Sequence, residues 1–220
     1  MTHDLKEARK ICLRLAHKAQ DGNLQSAFSC IDTIWQIINE AMDNDDILIL
    51  SKGQATLALY AVLIQNGTYF EEEFDNIGQY GSRYSIQADV TKNIEGIYNS
   101  AGALGHGLPF ACGIALAKKV KKESGRVFVL TGDGEFNEGT MWESLLIAER
   151  FKLDNLYLII DNNKSHDVPI SVREFSSIHV YTEYTQRGAG CPSMMKGQTW
   201  FHKAPNDTEL AALCKEIDEQ

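Results

Sequence analysis

What the chain lacks narrows it before any motif is read. It has no CxxC pair: Cys12, Cys30, Cys112, Cys191 and Cys214 are scattered and odd in number. That pattern signals neither a disulfide framework nor a zinc knuckle, and leaves the cysteines as small buried hydrophobes. No apolar run approaches the roughly 20 residues that span a bilayer. The first residues, Met1-Thr2-His3-Asp4, open a charged helix rather than the apolar core of a secretory signal, so a cytoplasmic protein is expected. Basic residues are the minority, 21 Lys+Arg against 30 Asp+Glu, for a net charge of −9. This balance argues against sequence-blind binding to nucleic acid, which needs cations to displace counterions from phosphates. It also offers no polybasic patch to an anionic membrane. There is no P-loop, no HExxH, no internal repeat and no Pro/Gly/Ser-rich linker at which to divide the chain. What remains is 220 residues, 44% hydrophobic and 23% charged, an ordinary composition for one folded domain with a sizeable core.

Apolar spacing predicts a helix over 4–19, carrying Leu5, Ala8, Ile11, Leu15 and Ala19, and a second over 30–42, with Ile31, Ile34, Trp35 and Ile38 on one face. A short strand, 47–50, and a helix through Leu57, Tyr60, Ala61 and Ile64 follow. Residues 71–99 are polar and read as loops with a short helix, long enough to suggest a functional segment. A glycine-dense stretch (Gly102, Gly105, Gly107, Gly113) runs into a helix ending near Lys118–Lys122. Val127–Leu130 and Leu156–Ile160 are continuous apolar strands with a helix, Thr140–Phe151, between them, and Ile178–Tyr184 reads as the last strand. Continuous rather than alternating apolar strands imply an α/β fold, a parallel sheet covered by helices on both faces. Ligands are then expected at the carboxyl ends of the strands.

Two features meet at those ends. Strand 127–130 leads into Thr131-Gly132-Asp133-Gly134, and strand 156–160 into Asp161-Asn162-Asn163, thirty residues on from Asp133 at its last position. A glycine turn opening a helix is a cradle for a diphosphate, with free N–H groups and the positive end of the dipole. Asp133 would repel that diphosphate unless a hard divalent cation sits between them, taking a carboxylate oxygen, an amide oxygen and phosphate oxygens. The inference is metal plus diphosphate. An EF-hand fails on register, and a dinucleotide site, with Asp161 on a ribose, fails because the third glycine is Gly139 and an acid stands between the first two.

Gly132-Asp133-Gly134-Glu135-Phe136-Asn137-Glu138-Gly139, Met141-Trp142-Glu143, Lys152-Leu153-Asp154-Asn155-Leu156 and Asp161-Asn162-Asn163-Lys164 resemble the thiamine-diphosphate motif of transketolases. The Glu-x-x-Glu-Gly and Trp-Glu elements are closer to transketolase than to 2-oxo-acid dehydrogenase E1 subunits. Ser51-Lys52-Gly53-Gln54, Ser100 to Leu108, Arg187 to Gly190 and His202-Lys203-Ala204-Pro205 resemble the flanking motifs, so nearly the whole chain is covered. The resemblance implies a domain of the diphosphate-binding type over 1–220, thiamine diphosphate and Mg²⁺ as cofactors, and transfer of a two-carbon ketol unit from a ketose-type donor to an aldehyde. It implies Asp133, Asn163 and the Ser165 carbonyl as metal ligands. Gly132, Gly134, Glu135 and Asn163 would lie at the diphosphate, and Gly102, Ala103 and Leu104 along the cofactor ring. His202 would stand near diphosphate and substrate, and His106 is either catalytic or a structural loop histidine. Glu138 and Glu143 would join an acidic network between two cofactor sites.

The chain also departs from the family. The pyrimidine-binding domain, with the glutamate that activates the cofactor, is not in it. A separately encoded C-terminal transketolase subunit is therefore expected, in an α₂β₂ heterotetramer. Family histidines are replaced by Asn23, Gln54 and, in a less secure alignment, Gln87; these can hydrogen-bond a cofactor or sugar oxygen but carry no charge. That reads as an altered sugar or sugar-phosphate substrate, with impaired catalysis as the alternative. The stretch from Asn163 to His202 is about one strand-helix unit short. Other readings from the residues are a 1-deoxyxylulose-phosphate-synthase-like or 2-oxo-acid decarboxylating subunit, and a non-catalytic cofactor-binding scaffold.

Overall fold

The computed structural model describes residues 1–166 and 175–220. Four parallel strands, β1 (Ile47–Leu50), β2 (Val127–Gly132), β3 (Leu156–Asn162) and β4 (His179–Tyr184), pair in the order β1-β2-β3-β4. Six helices accompany them: α1 (His3–Ala19), α2 (Leu24–Gln36), α3 (Thr56–Gln65), α4 (Gly107–Lys121), α5 (Gly139–Phe151) and α6 (Asp207–Asp218). The two-residue side-chain period of a strand divides each apolar run between two layers. Leu48, Leu50, Phe128, Leu130 and Ile159 pack with α1, α2 and α3. Ile49, Val127, Val129, Leu158 and Ile160 pack with α4 and α5. Both faces of the central strands are thus covered, as the continuous apolar runs predicted. β4 is an edge strand, with Tyr181 and Tyr184 exposed. No helix among the described residues is long and apolar enough to cross a membrane.

The four cysteines Cys12, Cys30, Cys112 and Cys191 are buried free thiols and Cys214 is a half-buried one. Burial pushes the Cys30 thiol up to about 12, so it remains protonated and unreactive.

The second helix differs from its sequence expectation. It begins at Leu24, six residues before Cys30, with Asn23 as its cap: Asn23 Oδ1 accepts from the Ser26 N–H at 3.1 Å. Residues 24–31 are buried on every side, Gln25, Ser26 and Ser29 included. A helix enclosed all round shows no amphipathic period, so spacing alone misses its first turns. A π-helical turn over Ile37–Ala41 ends it. The Asp133 turn also differs, since a 3₁₀ segment (Asp133–Asn137) separates the glycines from α5.

Candidate functional site

Gly132 on β2 pairs with Asp161 on β3, so the residues that follow each strand emerge side by side. Asp133, 3% exposed, accepts at Oδ1 from the Gly134 N–H (2.9 Å) and at Oδ2 from the Ser165 N–H (2.8 Å). Asn163 Oδ1 accepts from that same Ser165 N–H at 3.0 Å and from the Ser165 hydroxyl. One donor is therefore shared by a carboxylate oxygen from one strand end and an amide oxygen from the next. Two hard oxygens converge on one point, a chemistry that fits a small divalent cation. Among the described residues no three His, Cys, Asp or Glu side chains cluster as a metal site. A cation held here would complete its shell with phosphate and water oxygens, the habit of Mg²⁺.

Asp161 faces the interior instead of a ribose. It is fully buried, accepts from Ser29 Oγ (2.7 Å) and Asn163 Nδ2 (3.1 Å), and pairs with Lys52 and the Thr185 hydroxyl. Lys52, at the end of β1, also donates to the Ser26 carbonyl (2.9 Å) and Ser29 Oγ (2.8 Å). Burial alone would push this ammonium toward deprotonation, but nearby negative charge outweighs it and its pKa lies above the ordinary lysine value. At neutral pH Asp161 supplies that charge, because the Cys30 thiol stays neutral.

Glu135 is the second buried carboxylate of the cleft. Its oxygens accept from Ser51 Oγ (2.5 Å), the Gly105 N–H (2.9 Å) and the Gly132 N–H (2.9 Å). Burial raises its pKa, and the donors from Ser51, Gly132 and Gly105 only partly oppose the rise. It thus ties the glycine loop of residues 102–106 to the ends of β1 and β2. The loop is tight: Gly105 has φ +75°, and a Cβ there would lie 2.6 Å from Thr140 Oγ1.

Other predicted residues are placed as follows. Gly134 faces the His166 ring, which a Cβ on Gly134 would approach to 2.5 Å. Gly132, Gly134, Gln54 and Leu104 line one cleft with Asp133, Glu135, Asn163 and Ser165. Gly102 and Ala103 are exposed beside it, and Gln87 lies against Gly102. Asn23 is outside the cleft lining, its Oδ1 engaged in capping α2. Ser165 meets Asp133 and Asn163 through its N–H and hydroxyl. His106 is exposed at the N-cap of α4. His202 is exposed too, edge-on to Phe201 at 4.7 Å between ring centroids, and it is Phe201 that lines the cleft. Glu138 is half-buried and Glu143 exposed. The cleft encloses about 60 Å³, room for about two waters, so a diphosphate enters only when exposed side chains lining it (Leu104, His166, Phe201) swing aside.

Spacing arguments missed Ser26, Ser29, Lys52 and Phe201 as parts of the site. A lysine and an aspartate, each directly beyond a fully apolar strand, were the available signal, because buried charges must pair. A neighbouring cavity of about 420 Å³, sharing Asn163 and lined by Lys164, Thr185 and Arg187, could be seen only in three dimensions.

The fold and site together define an α/β domain that sets a carboxylate, an amide oxygen and a glycine turn at adjacent parallel strand ends. Residues 12–195 match the dehydrogenase E1 component family, and the chain belongs to that family. It is similar to an apulose-4-phosphate transketolase subunit of Phocaeicola vulgatus, 27% identical over 259 positions, covering 96% of this chain and 92% of that protein. The protein of the same name from Actinobacillus succinogenes is 28% identical, with 96% and 93% covered. The transketolase from Leishmania mexicana superposes with a TM-score of 0.82 at 17% identity, over 99% of this chain. The expected fold class is therefore the observed one: the fold is that of part of a transketolase, and the chain spans about two fifths (42%) of that solved protein's length.

Proposed function

We propose that this chain is the thiamine-diphosphate- and Mg²⁺-binding subunit of a two-chain transketolase-like enzyme. The observation that carries the reading is the convergence of Asp133 Oδ2 and Asn163 Oδ1 on one donor beside a glycine turn. When bound, thiamine diphosphate supplies the carbanion chemistry that cleaves a ketose beside its carbonyl. Asp133 and Asn163 hold the cation. Gly134 leaves space for the phosphates, and Glu135 keeps the Gly102–Leu104 loop against the cofactor ring. Lys164 and Arg187 add positive charge at the adjoining cavity, suited to phosphate groups. Leu104 and Phe201 exclude water. Gln54 donates to a hydroxyl or phosphate oxygen without carrying a proton, while His202 and His106 stand at the rim.

The similarity to proteins named as one subunit of an apulose-4-phosphate transketolase supports a sugar phosphate as substrate and a separately encoded partner bearing the activating glutamate. The outer face of α5 supports a partner as well: Trp142, Leu146, Ile147 and Phe151 are exposed there, opposite buried Met141, Leu145 and Ala148. A helix apolar on both faces needs a cover, and an α₂β₂ assembly provides it. The family's description as an E1 component favours a second reading, decarboxylation of a 2-oxo acid.

Titration with thiamine diphosphate, with and without Mg²⁺, tests the site. Saturable binding that needs the cation and weakens at least 100-fold in Asp133→Ala is expected. Binding indifferent to both would overturn the site. With the partner present, ketol transfer between sugars is the expected activity, and CO₂ release from pyruvate without such transfer would favour the second reading.

A further inference from the structure

The proposed cation site depends on which end of the Asn163 amide faces Asp133, and residues outside the site decide that. Asn163 Nδ2 donates to Asp161 Oδ2 and to Ser29 Oγ, both at 3.1 Å. Oδ1 is therefore the end turned toward Ser165 and Asp133. A flipped amide would aim its N–H groups at the cation and its lone pairs at the Asp161 carboxylate, unfavourable on both sides. Asp161 can act this way only as an anion with a fixed direction. Lys52, Ser29 and Thr185 supply both conditions in a site closed to water. All three ammonium protons of Lys52 are used, on Asp161, Ser29 Oγ and the Ser26 carbonyl. Such a pair does not explain itself by stability, since apolar side chains of similar volume serve a core as well or better.

We propose that the Lys52–Asp161 ion pair is a positioning device. Together with Ser29 it locks the Asn163 amide with its oxygen toward the cation, and so sets how tightly the divalent ion is held. The inference rests on the proposed metal site and deepens it. Partners that orient a metal ligand typically contribute 10–100-fold to affinity.

The test is Mn²⁺ binding by the full chain at a fixed concentration of thiamine diphosphate, read from loss of the free-ion electron paramagnetic resonance signal. Asp161→Asn, which presents Asn163 with either a donor or an acceptor, should weaken Mn²⁺ about tenfold or more, and the swap Asp161→Asn with Asn163→Asp should return it to within about threefold. The swap keeps the net charge and the hydrogen bond between the two positions, and a carboxylate at 163 offers an oxygen from either end. Circular dichroism and thermal melts identify the folded variants. Ser29→Ala leaves the ion pair in place and should lower affinity in the same direction by a smaller factor, so the test survives if Asp161→Asn does not fold. Wild-type affinity in folded Asp161→Asn or, should that variant not fold, in Ser29→Ala, or a swap as weak as the single change, would overturn the positioning role. If Asp133→Ala binds Mn²⁺ as well as the wild type, the metal site itself is wrong, a result separable from the others.

Discussion

Asp46 and Glu135 are both buried carboxylates at the sheet, yet their surroundings move them in opposite directions. Burial alone would raise the Asp46 pKa, but the Arg126 guanidinium and the N–H groups of Arg126 and Asp43 outweigh it, and the carboxyl titrates below the ordinary aspartate range. A lowered folded pKa contributes stability above the unfolded value, which is lost as pH falls through the folded one. Asp46→Asn should therefore cost about 2 kcal/mol at pH 7, with the gap from wild type narrowing below the ordinary aspartate range. Urea unfolding at pH 7 and pH 3 measures both, and an equal gap at the two pH values would count against this account. Glu135, with its raised pKa, has the opposite sign: its contribution is complete in acid and declines as pH rises through the folded pKa. At this scale the sequence marked Asp133 and Asn163 through their spacing. It could not show that Asp161, two residues from Asn163, points the other way into a cage of Lys52, Ser29 and Thr185.

At the scale of elements, α2 is the informative case. Its cap, Asn23, stands where the family has a histidine, and the side chain serves the helix. Asn23→Ala should lower stability by about 1 kcal/mol, while Asn23→Ser should keep most of it. Thermal melts of the two variants separate capping from any cofactor role, because a cofactor role alone would leave the apo melting temperature unchanged. The consequence reaches the site, since the first two turns of α2 carry Ser26 and Ser29, which hold Lys52. The strands, α1, α3, α4 and α5 follow apolar spacing closely because each buries one defined face. The start of α2 does not, because nothing about a helix enclosed on all sides is periodic.

The whole molecule leaves one helix face unexplained by its own packing. α5 buries Met141, Leu145 and Ala148 and exposes Trp142, Leu146, Ile147 and Phe151. Changing Leu146, which is 67% exposed, to Glu should leave the chain folded and disrupt assembly with the partner subunit. Sedimentation of the mixed chains reads this directly; an unchanged complex would place the interface elsewhere.

The order of apolar runs and glycine turns is local information, and it was sufficient for the parallel sheet, the strand ends as the site, and Asp133 with Asn163 as the oxygen pair. Those features follow from periodicity and from the repulsion between a carboxylate and a diphosphate, which hold wherever the residues lie in space. Three things were decided only by tertiary structure. Register between β2 and β3 brought the two oxygens to one donor. Enclosure of α2 delivered Ser26 and Ser29 beneath the site. Burial of Lys52 against Asp161 turned a charge pair some hundred residues apart into the support for an amide. Pairing of buried charges is obligatory but not local, so a sequence can require that Lys52 and Asp161 find partners without saying that they find each other.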